Sequence, residues 1–172
     1  GMLELVAEHG IRPEDVAQID CGVRPHSLNI LMHHQPQTGL QAKFSAEYWV
    51  AAALLDRTFG LRQTTDEMVQ RPAVQALVRK VKVHPDPAIV FPWSKITIRV
   101  TLTDGRVLDK LYYPPRGAAD NPMSEAELVE KFHDCAAAGG WAKDRARRAA
   151  DLLLGLGALP DVRGLMALLA ER

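Results

Sequence analysis

A run of eight consecutive apolar residues, residues 48–55, constrains this chain more than any other feature of its sequence. Ser45 precedes the run at the position of a helix N-cap, so the pattern predicts a helix from Ser45 to about Asp56. A helix that is apolar on every side must be covered on most sides to be stable in water. We therefore expect this helix at the centre of a core or of an interface.

The middle of the chain has the alternation of a β-hairpin. Apolar and polar side chains alternate over residues 96–102, and Val107, Asp109 and Leu111 are expected on the returning strand. Asp104-Gly105 between them is typical of a two-residue turn, because both residues tolerate positive φ. The register expected from that turn pairs Leu102 with Val107 and Ile98 with Leu111.

Shorter signals complete the pattern of elements. Gly10 is suited to cap a helix that ends at His9, and residues 16–23 alternate as a strand does. Further helices are expected from Pro72 to about residue 80, from Ser124 to about residue 138, over residues 142–156 and over residues 160–170. The order predicts an α+β fold: a small domain with a β-sheet that contains a hairpin, packed with helices, then a C-terminal helical segment.

The bulk composition excludes several classes of partner. The 21 basic and 21 acidic residues cancel, so no net positive charge recruits nucleic acid or an anionic membrane. The run at residues 48–55 is too short to span a bilayer, which needs about 20 residues. No secretory signal opens the chain, and its two cysteines lack Cys-x-x-Cys spacing. We expect a cytoplasmic protein without nucleic-acid or membrane partners.

The histidines and cysteines do not form a recognisable catalytic or metal-binding motif. His33 and His34 are adjacent, so they point in different directions and do not chelate one ion easily. Cys135 falls on the apolar stripe of its helix, which predicts a buried structural thiol. The basic run over residues 143–148 is interpreted as a solvated helix face, since acidic residues dilute it. No metal site is expected.

Three polar residues at the start of the apolar helix form a candidate site. Lys43, Ser45 and the backbone N–H groups near the helix N-terminus could hold a carboxylate. Tyr48, one turn further on, could supply a phenol as proton donor or hydrogen-bond partner. In the alternative interpretation, Ser45 only caps the helix, Lys43 extends along the surface, and Tyr48 packs with its hydroxyl satisfied. The residues alone slightly favour that structural alternative.

Five strings of the sequence resemble those of one enzyme family. They are residues 8–16 (EHGIRPEDV), 42–48 (AKFSAEY), 83–87 (VHPDP), 103–106 (TDGR) and 114–132 (PPRGAADNPMSEAELVEKF). In this order and spacing they resemble the C-terminal part of the MmgE/PrpD family, which includes 2-methylcitrate dehydratase and cis-aconitate decarboxylase. The resemblance implies an α/β lid domain over residues 1–115. It also implies C-terminal helices over residues 116–172 that return to the family's helical domain.

The same resemblance carries expectations about activity. It implies a lyase or isomerase that dehydrates, decarboxylates or epimerises small di- and tricarboxylates without a metal or other cofactor, commonly as a homodimer. It also raises Tyr48 to a catalytic candidate, with Lys43 and Ser45 as weaker substrate-binding candidates. Most of the family's acid/base residues would lie upstream of Met2. We therefore expect a truncated or split relative that is inactive alone.

Two other arrangements remain open from the sequence. A separately encoded helical-domain polypeptide could complete the enzyme, or the chain could be a standalone binding or dimerisation module that reuses the lid fold. The last three helices carry apolar faces suited to a further domain. Exposed faces of that size favour association, so we expect either a homo-oligomer or docking of these helices onto the lid in a way that differs from the family.

Overall fold

The computed structural model describes residues 1–89, 95–112 and 114–170. Within those residues the chain forms eight α-helices and one four-stranded mixed sheet, which confirms the α+β class. The chain divides into two compact units, Gly1–Asn121 and Pro122–Arg172. No helix among the described residues is long and apolar enough to cross a membrane. The expected division into a lid over residues 1–115 and helices over residues 116–172 that return to a further domain stays a prediction.

The first unit contains the sheet and five of the helices. The helices are α1 (Met2–His9), α2 (Gly39–Ala42), α3 (Ala46–Asp56), α4 (Asp66–Val69) and α5 (Pro72–Val78). The strands are β1 (Val16–Val23), β2 (Val81–Pro85), β3 (Ile96–Leu102) and β4 (Val107–Tyr112). Their order in the sheet is β2-β1-β3-β4, with β1 parallel to β2 and antiparallel to β3, and β3 antiparallel to β4.

Helix α3 lies at the centre of the first unit, as its sequence predicts. Seven of its eleven residues are buried, and it contacts α1, α5 and β2. The inward side chains of β1 and β3 join it in one core, with Ile19 and Val100 fully buried. Burial of a large aliphatic side chain stabilises a fold by roughly 1.5–3 kcal/mol, so each of these buried side chains contributes to the stability of the unit.

The hairpin is present, but its expected register is wrong by one residue. The N–H of Leu102 donates to the carbonyl of Arg106 at 2.8 Å, and Gly105 has φ 87°. The loop therefore has three residues rather than two, and Thr101 pairs with Val107. A shift of one residue moves every side chain of a strand to the opposite face. Consequently Val107 and Leu111 are exposed.

The observed register turns Lys110 toward α1. Its Nζ lies 2.7 Å from a carboxylate oxygen of Glu4 and 2.6 Å from one of Glu8. Glu4 and Glu8 are four residues apart and so lie on the same face of α1. Lys110 therefore ties this face of the helix to the edge strand of the sheet.

The second unit consists of three helices. They are α6 (Glu125–Ala138), α7 (Lys143–Leu154) and α8 (Arg163–Ala170). The capping box expected at the start of α6 is confirmed, since Ser124 Oγ accepts the Glu127 N–H at 3.3 Å and the Ser124 N–H donates to Glu127 at 2.8 Å.

Two expectations for the second unit are corrected. Cys135 is exposed, because Ala136 takes the buried position next to it on α6. Arg145 belongs to the basic run but is not only solvated: its guanidinium lies 3.7 Å from the centre of the Trp141 ring and donates to the carbonyl of Leu168 at 2.9 Å. Arginine over an indole face is a favourable cation–π contact.

Apolar side chains remain exposed in this unit. On α8, Leu165 and Leu168 are buried, whereas Met166 is exposed. The exposed large apolar residues of the unit include Leu128, Leu153, Leu154, Leu156, Val162 and Met166. An apolar surface of this kind often marks an interaction site.

Candidate functional site at the start of helix α3

The first turn of α3 is built around Ser45. This residue is fully buried, and its Oγ accepts the backbone N–H of Tyr48 at 3.2 Å, so the expected N-cap is confirmed. The same hydroxyl lies 3.5 Å from a carboxylate oxygen of Glu47, to which it can donate. Because its hydrogen-bonding capacity is used inside the fold, Ser45 is not presented to solvent in this conformation.

Tyr48 points into the protein rather than toward an open cleft. Its side chain is fully buried, and its hydroxyl donates to the backbone carbonyl of Gln63. Burial raises the pKa of the phenol, the Asp56 carboxylate acts in the same direction, and the Arg71 guanidinium opposes both. The phenol is therefore protonated at neutral pH. To meet a ligand, Tyr48 would have to leave the Gln63 carbonyl.

An ion pair supports the segment that accepts the Tyr48 hydrogen bond. Arg71 donates to both carboxylate oxygens of Asp56, at 2.9 and 2.7 Å, and Gln63 donates to the same carboxylate at 3.3 Å. The Arg71 hydrogen bonds, followed by that of Gln63, hold the pKa of Asp56 below its usual value. The hydrogen bond from Arg71 to Asp56 likewise raises the pKa of the guanidinium. Tyr48, Gln63, Asp56 and Arg71 thus form one connected polar network.

Lys43 lies on the exposed surface just before α3. The structure therefore places the three candidates in different environments, with Lys43 outside and both Ser45 and Tyr48 inside. It does not bring them together around one open cavity. The substrate-binding roles of Lys43 and Ser45 and the catalytic role of Tyr48 stay predictions.

A pair that the sequence analysis did not find lies beside them. Nδ1 of His34 is 2.7 Å from a carboxylate oxygen of Glu47. The His34 side chain is 65% exposed, whereas that of Glu47 is 6% exposed. The two residues are 13 positions apart, and no spacing rule connects a loop histidine with a helical glutamate. The available signal was Glu47 itself, a carboxylate in the first turn of a helix whose next eight residues are apolar.

Other reactive groups do not extend this site. Within residues 1–89, 95–112 and 114–170, no group of three or more His, Cys, Asp or Glu side chains could hold a metal ion. Cys21 is buried, and burial, with smaller contributions from Glu47 and Asp20, raises the pKa of its thiol to about 12. A thiol in that state is a poor nucleophile.

Comparison with known proteins identifies the family. The sequence model of the MmgE/PrpD C-terminal domain matches residues 1–156, and the chain belongs to this family. It is also similar to cis-aconitate decarboxylase of Mus musculus, with 30% identity over 99 residues. That match covers 56% of this chain and 20% of the mouse protein. The chain thus spans about a fifth of the length of the curated relative it matches.

Proposed function

We propose that this chain is the C-terminal part of an MmgE/PrpD enzyme, with a lid domain and the helices that follow it, and that the enzyme acts on small di- or tricarboxylates by dehydration, decarboxylation or epimerisation. The observation that carries the proposal is the family match over residues 1–156. The similarity to a protein named cis-aconitate decarboxylase supports a tricarboxylate substrate. In this proposal the domain is inactive alone and becomes active with a helical-domain polypeptide.

Tyr48 is the residue we propose for catalysis, with Ser45 and Lys43 as residues that help to bind the substrate carboxylate. Lys43 is exposed next to the α3 N-terminus, where its ammonium group and the helix dipole both favour an anion. The hydroxyl of Tyr48 is protonated and thus suited to donate a proton. For the Tyr48 hydroxyl to reach the substrate, the segment around Gln63 must move when the helical polypeptide or the substrate binds.

The test uses the 172-residue chain alone and mixed with a separately produced helical domain of an MmgE/PrpD enzyme. Turnover of cis-aconitate and 2-methylcitrate is followed by proton NMR. We expect no turnover by either component and measurable turnover by the mixture. Turnover by the chain alone would contradict the need for a partner. A mixture that forms a complex but converts no di- or tricarboxylate would refute the proposed substrate class.

The matched variant is Tyr48→Phe, which removes one oxygen atom. If the hydroxyl donates a proton during the reaction, kcat falls by about 100-fold or more in the mixture, while complex formation is unchanged. Lys43→Met is expected to raise KM with a smaller effect on kcat, because it removes a group that binds the substrate in its ground state. Unchanged kinetics in both variants would remove this site from the mechanism.

The second candidate function is a standalone binding or dimerisation module. The observation that favours it is the exposed apolar surface of the second unit, which includes Leu153, Leu154 and Met166. In this alternative the chain associates with itself and has no helical-domain partner. Light scattering distinguishes the two: a concentration-dependent dimer that binds no helical domain supports the module, and a monomer that binds one supports the enzyme domain.

A further inference from the structure

The pair formed by His34 and Glu47 has the geometry of an oriented imidazole. Its Nδ1 atom faces a carboxylate oxygen at 2.7 Å, and the side chain as a whole is 65% exposed. In a neutral imidazole one nitrogen carries the proton and the other accepts one, and a carboxylate selects the tautomer in which its own neighbour carries the proton. Glu47 therefore selects the Nδ1–H tautomer, which leaves Nε2 as the acceptor.

The loop that carries His34 is held by contacts other than this pair. The N–H of His33 donates to the carbonyl of Phe44 at 3.2 Å. Two residues beyond His34, the side chain of Pro36 is fully buried, and its carbonyl accepts the side-chain amide of Gln75 at 2.9 Å. The backbone on both sides of His34 is thus fixed independently of the imidazole, so the ring is positioned before any ligand arrives.

Stability alone is a weak explanation for the pair. A carboxylate that is almost fully buried loses most of its hydration, which is unfavourable unless other groups replace it. A mostly exposed histidine contributes little in return, because water screens the interaction. Ser45 supplies only a long 3.5 Å contact to the same carboxylate. Glu47 also lies in the first turn of α3, where the helix dipole favours a carboxylate, so its position does not depend on the histidine. For the imidazole, the contact orients the ring as carboxylates do in hydrolytic triads.

We propose that His34 is a proton acceptor of this domain, with Nε2 as the reacting atom and Glu47 as the positioning residue. The nature of the proton donor, a small carboxylic acid, rests on the proposed function, whereas the reactivity of the ring does not. In the step, a C–H or O–H bond of the acid breaks, its electron pair stays on that carbon or oxygen, and the proton moves to Nε2. The imidazolium formed has Glu47 beside Nδ1, and Nε2 then releases the proton to water or to the product.

The first test measures the reactivity of the six histidines in the intact 172-residue chain. Diethyl pyrocarbonate acylates imidazole, and peptide mapping by mass spectrometry gives a rate for each site. His26 is the internal control, because it is also exposed but has the Asn29 amide rather than a carboxylate beside Nδ1. We expect His34 to react about threefold faster, since Glu47 stabilises the positive charge that develops during attack. An equal or lower rate at His34 would overturn the proposal.

The second test reads the tautomer directly. Long-range ¹H–¹⁵N spectra at pH 8, where an ordinary imidazole is neutral, distinguish Nδ1–H from Nε2–H. We expect the Nδ1–H form at His34, with Nε2 unprotonated. The opposite tautomer would overturn the proposal, because Nε2 would then be unable to accept a proton.

Variants separate the positioning role from a structural one. Glu47→Gln keeps the size of the side chain and removes its charge, so the acylation rate of His34 should fall about threefold to that of His26. Glu67→Gln is the matched control, because Glu67 occupies the same second position in the first turn of α4 and is exposed. It should leave the rate at His34 unchanged. An equal rate in wild type and Glu47→Gln would contradict the positioning role, and if Glu47→Gln fails to fold, the comparison of His34 with His26 in the wild type decides.

These results are independent of the enzyme assay. A fast, Nδ1-protonated His34 without carboxylate turnover in the mixture would refute the proposed function and leave a reactive histidine. Turnover in the mixture with an ordinary His34 would refute the acceptor role and leave the proposed function.

Discussion

The ion pair between Asp56 and Arg71 allows a stability prediction worked from the structure. Arg71→Met keeps much of the side-chain volume and removes two charge-assisted hydrogen bonds, of 2.9 and 2.7 Å, from a carboxylate that is only 12% exposed. It also removes the hydrogen bond from Arg71 Nε to the carbonyl of Met68 at 3.1 Å. Breaking a fully buried pair costs about 3–5 kcal/mol, because one charge is left without its partner. Arg71 is 30% exposed, and Gln63 still donates to Asp56, so solvent and this amide reduce the cost. We expect a loss of about 2 kcal/mol in the free energy of unfolding at pH 7.

The assay is urea unfolding followed by far-UV circular dichroism. In thermal unfolding, the same loss of about 2 kcal/mol would lower the Tm by roughly 4–8 °C for a chain of this size. The matched control is Arg99→Met, which breaks an arginine–aspartate pair of similar geometry with Asp109 on the exposed face of the hairpin. That variant should change stability very little, since water screens the pair. Equal losses in the two variants would refute the argument that burial sets the cost.

The pH dependence of the same variant follows from the lowered pKa of Asp56. A carboxyl whose folded-state pKa lies below its unfolded value adds stability above the unfolded pKa, about 3.9, and that stability is lost as the pH falls through the folded pKa. In Arg71→Met the principal cause of the lowered pKa is gone. The difference in stability between wild type and variant should therefore be full at pH 7 and shrink steadily below about pH 4. A difference that stays constant down to pH 2 would contradict the assignment.

Three further outcomes are expected. Ser45→Ala should destabilise the chain by about 1 kcal/mol or more in urea unfolding, because it removes a buried N-cap. Iodoacetamide at pH 8 should label the exposed Cys135 rapidly and leave Cys21 unmodified in the native chain. The reason is that burial raises the pKa of the Cys21 thiol to about 12. Labelling of both at equal rates would contradict the burial of Cys21. Leu111→Thr should leave stability within about 0.5 kcal/mol of wild type, because Leu111 is exposed. A large loss would indicate that Leu111 is buried, as the register of a two-residue turn predicts.

The local elements were well predicted because their signals lie within a few residues. The cap at Ser45 and the capping box at Ser124 each place the responsible atoms within one helical turn, and the apolar run after Ser45 is continuous in the sequence. The hairpin was also predicted, whereas its register was not. Asp104-Gly105 is compatible with both two- and three-residue loops, and the choice between them decides which face of β4 is buried.

The candidate site was predicted in part. The position of Ser45 and Tyr48 at the first turn of α3 followed from sequence, but the partner of the Tyr48 hydroxyl is the carbonyl of Gln63, fifteen residues further along the chain. The pair of His34 with Glu47 joins a loop to a helix, and no local pattern reports such a contact. Side chains that are distant in sequence come together only when the surrounding core has formed.

The sequence by itself determined the family, the fold class and the start of the central helix, since caps, turns and apolar periodicity act over short stretches of chain. Only the tertiary structure decided the strand order, with β1 between a parallel and an antiparallel neighbour, and the environments of the polar residues. The physical reason is burial: whether Tyr48, Glu47 and Cys135 face water depends on which distant segments cover them, and the core as a whole selects that packing.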